Sequence, residues 1–120
     1  MKRLESQEDY LERILQLSKE NEKVRAIDIA RSMSFSKPSV SVAMGKLRDE
    51  KLIEVDASGN ITLTAKGQKI AEKTLEKHEL LAKMFMNLGV SKETAFEDAC
   101  RVEHDLSDET WDAIKKHANK

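Results

Sequence analysis

The sequence predicts a mostly α-helical fold, with a winged helix-turn-helix N-terminal domain over residues 1–64 and an all-helical domain over 65–120. Three observations lead there. Apolar residues recur at spacings of three and four through most of the chain, the period of amphipathic helices. A single pair of short alternating runs, divided by Ser58-Gly59-Asn60, gives the one strand signal. That pair stands directly behind three short helical patterns, where a wing belongs.

The first helix is expected over about residues 6–21, with Ser6 as its cap and Tyr10, Leu11, Ile14, Leu15 and Leu17 as its inner stripe. A short second helix, 26–33, carries Ile29, Ala30 and Met33. Ser34-Phe35-Ser36 makes the turn. Pro38 then sits in the first turn of a third helix, where its missing N–H costs nothing, and Val40, Met44 and Leu47 form the inner stripe of that helix, which ends near Lys51. The runs Leu52–Asp56 and Ile61–Thr64 flank a Gly/Asn turn and form the hairpin.

Thr64 caps a long helix over about 65–88, with Ala71, Leu75, His78, Leu81, Phe85 and Leu88 as the buried stripe. Gly89 ends it. Ser91 caps a following helix with Phe96, Ala99 and Val102, and Ser107 opens a last one with Glu109 and Trp111.

Composition bounds the function. The 120 residues are 39% apolar, 4% aromatic and 36% charged, a mix suited to a helix-rich folded protein with long solvated faces. No stretch approaches the roughly 18 consecutive apolar residues of a membrane span, and Met1-Lys2-Arg3-Leu4-Glu5 lacks the apolar run of a signal peptide. A cytoplasmic protein is expected. Cys100 is the one cysteine, so an intramolecular disulfide is excluded; core packing, a reactive thiol and metal ligation stay open for it.

The net charge of −1 conceals an uneven distribution. From Lys23 to Lys51 seven basic residues face three acidic ones, a local charge of +4, whereas from His78 onward six Lys/Arg face nine Asp/Glu. One part suits a polyanion and the other suits cations. The third helix offers Ser36, Lys37, Pro38, Ser39, Ser41 and Lys46 on its outer side, and Arg25 adds a cation before the second helix. Short polar side chains let a helix end approach base edges, while Lys and Arg neutralise phosphates. Double-stranded DNA is the expected partner.

Glu97, Cys100, Glu103 and His104 fall at i, i+3, i+6 and i+7 on one helix, which gathers a thiolate, carboxylates and an imidazole on one face. Such a mixed donor set suits Fe²⁺, Mn²⁺, Co²⁺, Ni²⁺ or Zn²⁺, whereas Ca²⁺ and Mg²⁺ prefer oxygen alone. His78, on a neighbouring helix, can add a nitrogen. Each residue also has an ordinary reading: Cys100 and His78 as core, Glu103-His104 as a solvated pair, Asp9 as a favourable charge near a helix N-terminus.

The run Phe96-Glu97-Asp98-Ala99-Cys100-Arg101-Val102-Glu103-His104-Asp105-Leu106-Ser107-Asp108-Glu109 resembles the iron-dependent diphtheria toxin repressor family. Glu8-Asp9-Tyr10-Leu11-Glu12 and Lys77-His78-Glu79-Leu80-Leu81 are more similar to its manganese transport regulator branch. The resemblance covers essentially the whole chain. It implies a repressor, not an enzyme, whose homodimer grips a palindromic operator when Fe²⁺ or Mn²⁺ joins the winged domain to a metal-binding and dimerisation domain, thereby controlling metal homeostasis genes. No small-molecule substrate and no membrane are implied.

Carried over residue by residue, the implied ligands are Asp9, Glu12, His78, Cys100, Glu103 and His104. Cys100 follows the iron branch, where the manganese branch has Glu; Asp9 and Glu12 follow the manganese branch. The iron branch's ancillary site needs a carboxylate and a His where this chain has Ala82 and Phe96, so that form of the site is not expected, although Asp9, Glu12 and Glu97 could hold a second ion. No SH3-like third domain is expected before the end at Lys120, and little helix after Trp111. Leu80, Met84, Met86 and Leu88 exceed what one helical face of a small lobe buries, which points to a dimer. The alternative is a winged-helix regulator that senses no transition metal, with Cys100 as core or as a redox sensor.

Overall fold

The computed structural model describes residues 5–118. The stretch Met1–Leu4 and the Ser6 side chain expected to cap the first helix lie outside the described part. The elements run α1 (Glu5–Glu20), α2 (Ala26–Met33), α3 (Lys37–Asp49), β1 (Ile53–Val55), β2 (Ile61–Leu63), α4 (Ala65–Asn87), α5 (Lys92–Val102) and α6 (Asp108–Ala118). They form two compact units that divide between Glu72 and Lys73, inside α4. α6 continues well past Trp111, further than the sequence suggested.

In the first unit, α1, α2 and α3 pack through the buried side chains of Leu11, Ile14, Ile29, Val40 and Leu47. Two of these helices end in the same way. Past α2 the Ser34 N–H donates to Arg31 O and the Phe35 N–H to Ala30 O; past α3 the Lys51 N–H donates to Arg48 O and the Leu52 N–H to Leu47 O. These paired bonds satisfy carbonyls the helix leaves open, and they require a left-handed residue at the bend. Ser34 (φ 59°) and Lys51 (φ 63°) fill positions that glycine fills most easily.

β1 and β2 pair antiparallel, with Ile53 opposite Leu63 and Val55 opposite Ile61. Asp56 organises the wing tip. Its carboxylate accepts from the Ser58 N–H (2.9 Å), the Ser58 hydroxyl (2.8 Å) and the Asn60 N–H (2.9 Å). The Ser58 hydroxyl and the Asn60 N–H hold that carboxyl below its ordinary value. Val24 ties the wing back to the α1–α2 connection, because its N–H donates to Asn60 Oδ1 (3.0 Å) and its carbonyl accepts from the Ile61 N–H (2.7 Å).

α4 starts against the wing at very short range. Thr64 caps it by accepting the Gly67 N–H (3.1 Å), while its hydroxyl donates to Lys51 O (2.8 Å) and its N–H to Leu52 O (3.1 Å). A Cβ on Gly67 would overlap the Leu52 carbonyl oxygen, so only glycine allows this approach.

The second unit centres on Leu81, Ala82, Ala95 and Ala99, with Phe85, Val90, Phe96, Val102, Leu106 and Ile114 packed around them. The expected α4 stripe holds at Ala71 and Leu81, which are buried, but not at Leu88, which is 79% exposed. Helical spacing places Leu88 inward; the chain, however, turns at Gly89 (φ 105°), with the Gly89 N–H donating to Met86 O and the Val90 N–H to Phe85 O. That closure brings Val90 onto the core in place of Leu88. No helix among the described residues is long and apolar enough to cross a membrane.

Candidate functional site

The first candidate surface is the outer side of α3. Ser36 caps the helix, accepting the Ser39 N–H at 3.3 Å and donating its hydroxyl to Ser39 Oγ at 2.9 Å. With Val40, Met44 and Leu47 turned inward, Ser36, Lys37, Pro38, Ser39, Ser41 and Lys46 are all exposed. Arg25 is exposed at the N-cap of α2, where its N–H donates to the Asp28 carboxylate at 2.9 Å. Short hydroxyls at the start of the helix and cations further along suit the major groove and its flanking phosphates.

The second candidate lies where α5 ends. The sequence placed Cys100, Glu103 and His104 along one uninterrupted helix; in the structure α5 stops at Val102 and Glu103 is its C-cap. The Glu103 N–H still donates to Ala99 O (3.0 Å), and the Asp105 N–H donates to Val102 O (3.0 Å), which tightens the last turn. Glu103 keeps right-handed helical dihedrals (φ −58°, ψ −29°), so its side chain continues the face that Cys100 begins. One donor atom each from Cys100, Glu103 and His104 lies within 4.8 Å of the others.

His78, in α4, reaches the same carboxylate. Its Nδ1 lies 3.4 Å from Glu103 Oε1, and His104 Nε2 lies 3.5 Å from Glu103 Oε2. A carboxylate only 1% exposed thus stands between two imidazole nitrogens and a thiol. Burying a carboxylate is costly unless cationic or hydrogen-bonding partners meet it. Cys100, Glu103 and His104 offer sulfur, oxygen and nitrogen within 4.8 Å of one another, and His78 separately meets Glu103, a donor chemistry that suits borderline divalent transition metals.

Neighbouring residues explain the departures from the iron-branch pattern. Phe96 lies against the His78 ring, centroids 5.3 Å apart and planes tilted by 36°, and so limits how that imidazole can rotate. Ala82, one turn after His78, is fully buried in the same apolar cluster as Ala95 and Ala99, a setting in which an unpaired carboxylate would be costly. The sequence placed Phe96 with Ala99 and Val102 among the apolar residues of this helix, but gave no sign that its ring would lie against His78. Glu97 is exposed one turn before Cys100 and outside the close group. Asp9 and Glu12 lie on α1 in the first unit, half-buried and buried respectively.

Comparison with known proteins gives a match over each half of the chain. Residues 3–60 match the family described as "Iron dependent repressor, N-terminal DNA binding domain", and residues 64–120 match "Iron dependent repressor, metal binding and dimerisation domain". The transcriptional regulator MntR of Escherichia coli O157:H7 is 36% identical over 113 residues, which cover 94% of this chain and 73% of that protein. The structure of the manganese regulator SloR superposes with a TM-score of 0.84 at 37% identity, covering 94% of this chain and 53% of that one. A manganese-dependent transcriptional repressor in complex with manganese gives a TM-score of 0.86 at 26% identity, covering 94% and 52%. The chain therefore spans about half the length of the solved structures it resembles. With matches to both halves and a relative at this identity over nearly its whole length, the chain belongs to the iron-dependent repressor family.

Proposed function

We propose that this protein is a metal-dependent transcriptional repressor that binds a palindromic operator as a homodimer, in the cytoplasm, and controls metal homeostasis genes. The observation that carries the reading is the buried Glu103 carboxylate, flanked by His78, His104 and Cys100, in a chain whose α3 presents short hydroxyls and cations outward.

Cys100, Glu103 and His104 would hold one ion, and His78, which meets the same Glu103 carboxylate, would serve that ion or a second one beside it. When bound, a divalent cation supplies the positive charge that stabilises a thiolate and a carboxylate in a buried setting. The resemblance of Glu8–Glu12 to the manganese branch adds Asp9 and Glu12 to the proposed ligands, and Glu97 is the candidate for a second ion. The thiolate softens the donor set toward Fe²⁺, whereas the two α1 carboxylates suit Mn²⁺; Co²⁺, Ni²⁺ and Zn²⁺ are substitutes of similar chemistry. Ser36, Lys37, Pro38, Ser39, Ser41, Lys46 and Arg25 form the proposed DNA-contacting set.

The regulatory logic is linkage. If the ligand set binds metal more tightly in the DNA-competent conformation, metal raises DNA affinity by that ratio. A coupling of about 2 kcal/mol corresponds to roughly thirtyfold. The test is a titration of labelled operator duplex by fluorescence anisotropy with each metal in turn, for the wild type and for Glu103→Ala and Asp9→Ala. Metal-stimulated binding is expected in the wild type and absent in both variants. Equal DNA affinity with and without every metal would exclude metal sensing, and full stimulation in Asp9→Ala would remove α1 from the switch.

A further inference from the structure

We propose that Val42 is a specificity-determining residue that reads the C5-methyl group of thymine in the major groove. The inference rests on the DNA-binding reading above and goes beyond it by assigning one base to one side chain.

At 100° per residue, Val42 falls almost opposite the inward stripe of Val40, Met44 and Leu47. It is 62% exposed. Among the described residues the other exposed large hydrophobics are placed differently: Phe35 makes a T-shaped contact with Tyr10, ring centroids 5.8 Å apart, Val55 lies on β1 and Leu88 follows α4. A β-branched side chain loses rotamer freedom in a helix, so nothing in helix formation favours valine here.

The surroundings of Val42 are equally informative. One turn before it stands Pro38, and close to one turn after it Gly45, where an added Cβ would meet nothing within 4 Å. The centre of the outer face is therefore small and apolar. Ser39, Ser41 and Lys46 flank it with exposed groups able to bond bases or phosphates. The segment from Lys23 to Lys51 carries a local charge of +4, which complements a phosphate backbone.

Among the base edges in the major groove, thymine alone offers an apolar group; the others present donors or acceptors. Valine makes no hydrogen bond. Against a cytosine amino group or a guanine oxygen it would displace water without replacing the bond, and against thymine it buries a methyl group. Val42 thus favours thymine by attraction and disfavours the other bases by desolvation. Losing one buried methyl contact corresponds to about fourfold in affinity per half-site.

The test uses the full chain loaded with Mn²⁺. A preferred duplex is selected from a random-sequence library, and each thymine in it is replaced singly by uracil, which pairs identically and lacks only the methyl group. Affinities are measured for the wild type, Val42→Ala and Val42→Gln, with thermal melting to confirm that each variant is folded. One thymine per half-site is expected at which uracil weakens the wild type about fourfold and leaves Val42→Ala unaffected, so that the two changes are not additive. Val42→Gln, able to bond adenine, should shift preference away from thymine at that position. Wild-type binding that is metal-dependent yet indifferent to every uracil, or Val42→Ala with undiminished sensitivity at the same thymine, would overturn the assignment alone. Failure to recover any preferred duplex would overturn it together with the proposed function.

Discussion

Replacing Gly67 by alanine tests whether the start of α4 is fixed by its contact with the wing. Helix propensity alone favours the change: alanine stabilises a helix interior by about 1 kcal/mol relative to glycine. The structure reverses the sign. A Cβ at position 67 would overlap the Leu52 carbonyl oxygen and stand 3.0 Å from its carbon, and neither atom belongs to a flexible side chain that could swing away. Overpacking of this kind costs about 1–3 kcal/mol. Moving α4 outward also strains the bonds from the Thr64 hydroxyl to Lys51 O and from the Thr64 N–H to Leu52 O, each worth about 1 kcal/mol. The net effect is a destabilisation of about 2–3 kcal/mol, or a fall in Tm of roughly 8–12 °C for a chain of this size. Gly45 is the control. It lies inside α3 with open space around a built Cβ, so Gly45→Ala should raise Tm by a few degrees, about 0.5–1 kcal/mol. Calorimetry or denaturant unfolding of the apo protein reads both. Gly67→Ala at or above wild-type stability, with Gly45→Ala stabilised as expected, would refute the close approach.

Two further outcomes follow from the same geometry. Leu88→Glu places a charge on a side chain already 79% exposed in the single chain, beside half-buried Met84 and Met86, so it should leave monomer stability within about 0.5 kcal/mol while shifting sedimentation from dimer to monomer; a wild type that sediments as a monomer at micromolar concentration would remove the dimer altogether. Asp56 has a folded-state pKa below its ordinary 3.8, chiefly through the Ser58 hydroxyl and then the Asn60 N–H, so its stabilising contribution is present above that value and is lost as pH falls through the lower folded one. Melting of the wild type and Asp56→Asn from about pH 6 to about pH 2 should show a gap that narrows at the acid end, and a gap constant with pH would show that the wing tip does not depend on the ionised carboxylate.

Much of the fold was legible because its signals are local. Ser36, Thr64, Ser91 and Ser107 stand ahead of apolar-periodic runs, and each accepts the N–H three residues on, at 3.3, 3.1, 3.4 and 3.1 Å. Residues whose fate is decided by distant backbone were not legible in the same way. Nothing in the string around Gly67 announces that Leu52 O will lie against it, and Leu88 keeps perfect helical spacing while Val90 takes its place in the core. The bends past α2, α3 and α4 share one hydrogen-bond pattern, yet only the last carries the glycine that marks it; Ser34 and Lys51 hide the other two.

The candidate metal group divides along the same line. Cys100, Glu103 and His104 are close in sequence, and their grouping survives the early end of α5 because Glu103 retains helical dihedrals for one more residue. His78 comes from another helix; Phe96 lies against its ring, and Ala82, one turn on from it, packs with Ala95 and Ala99 of α5. The alanine and phenylalanine that argued from sequence against an iron-type ancillary site are therefore positive features of this one. They exchange potential ligands for packing beside a single histidine, so the residues at these positions are apolar and carry no metal chemistry of their own.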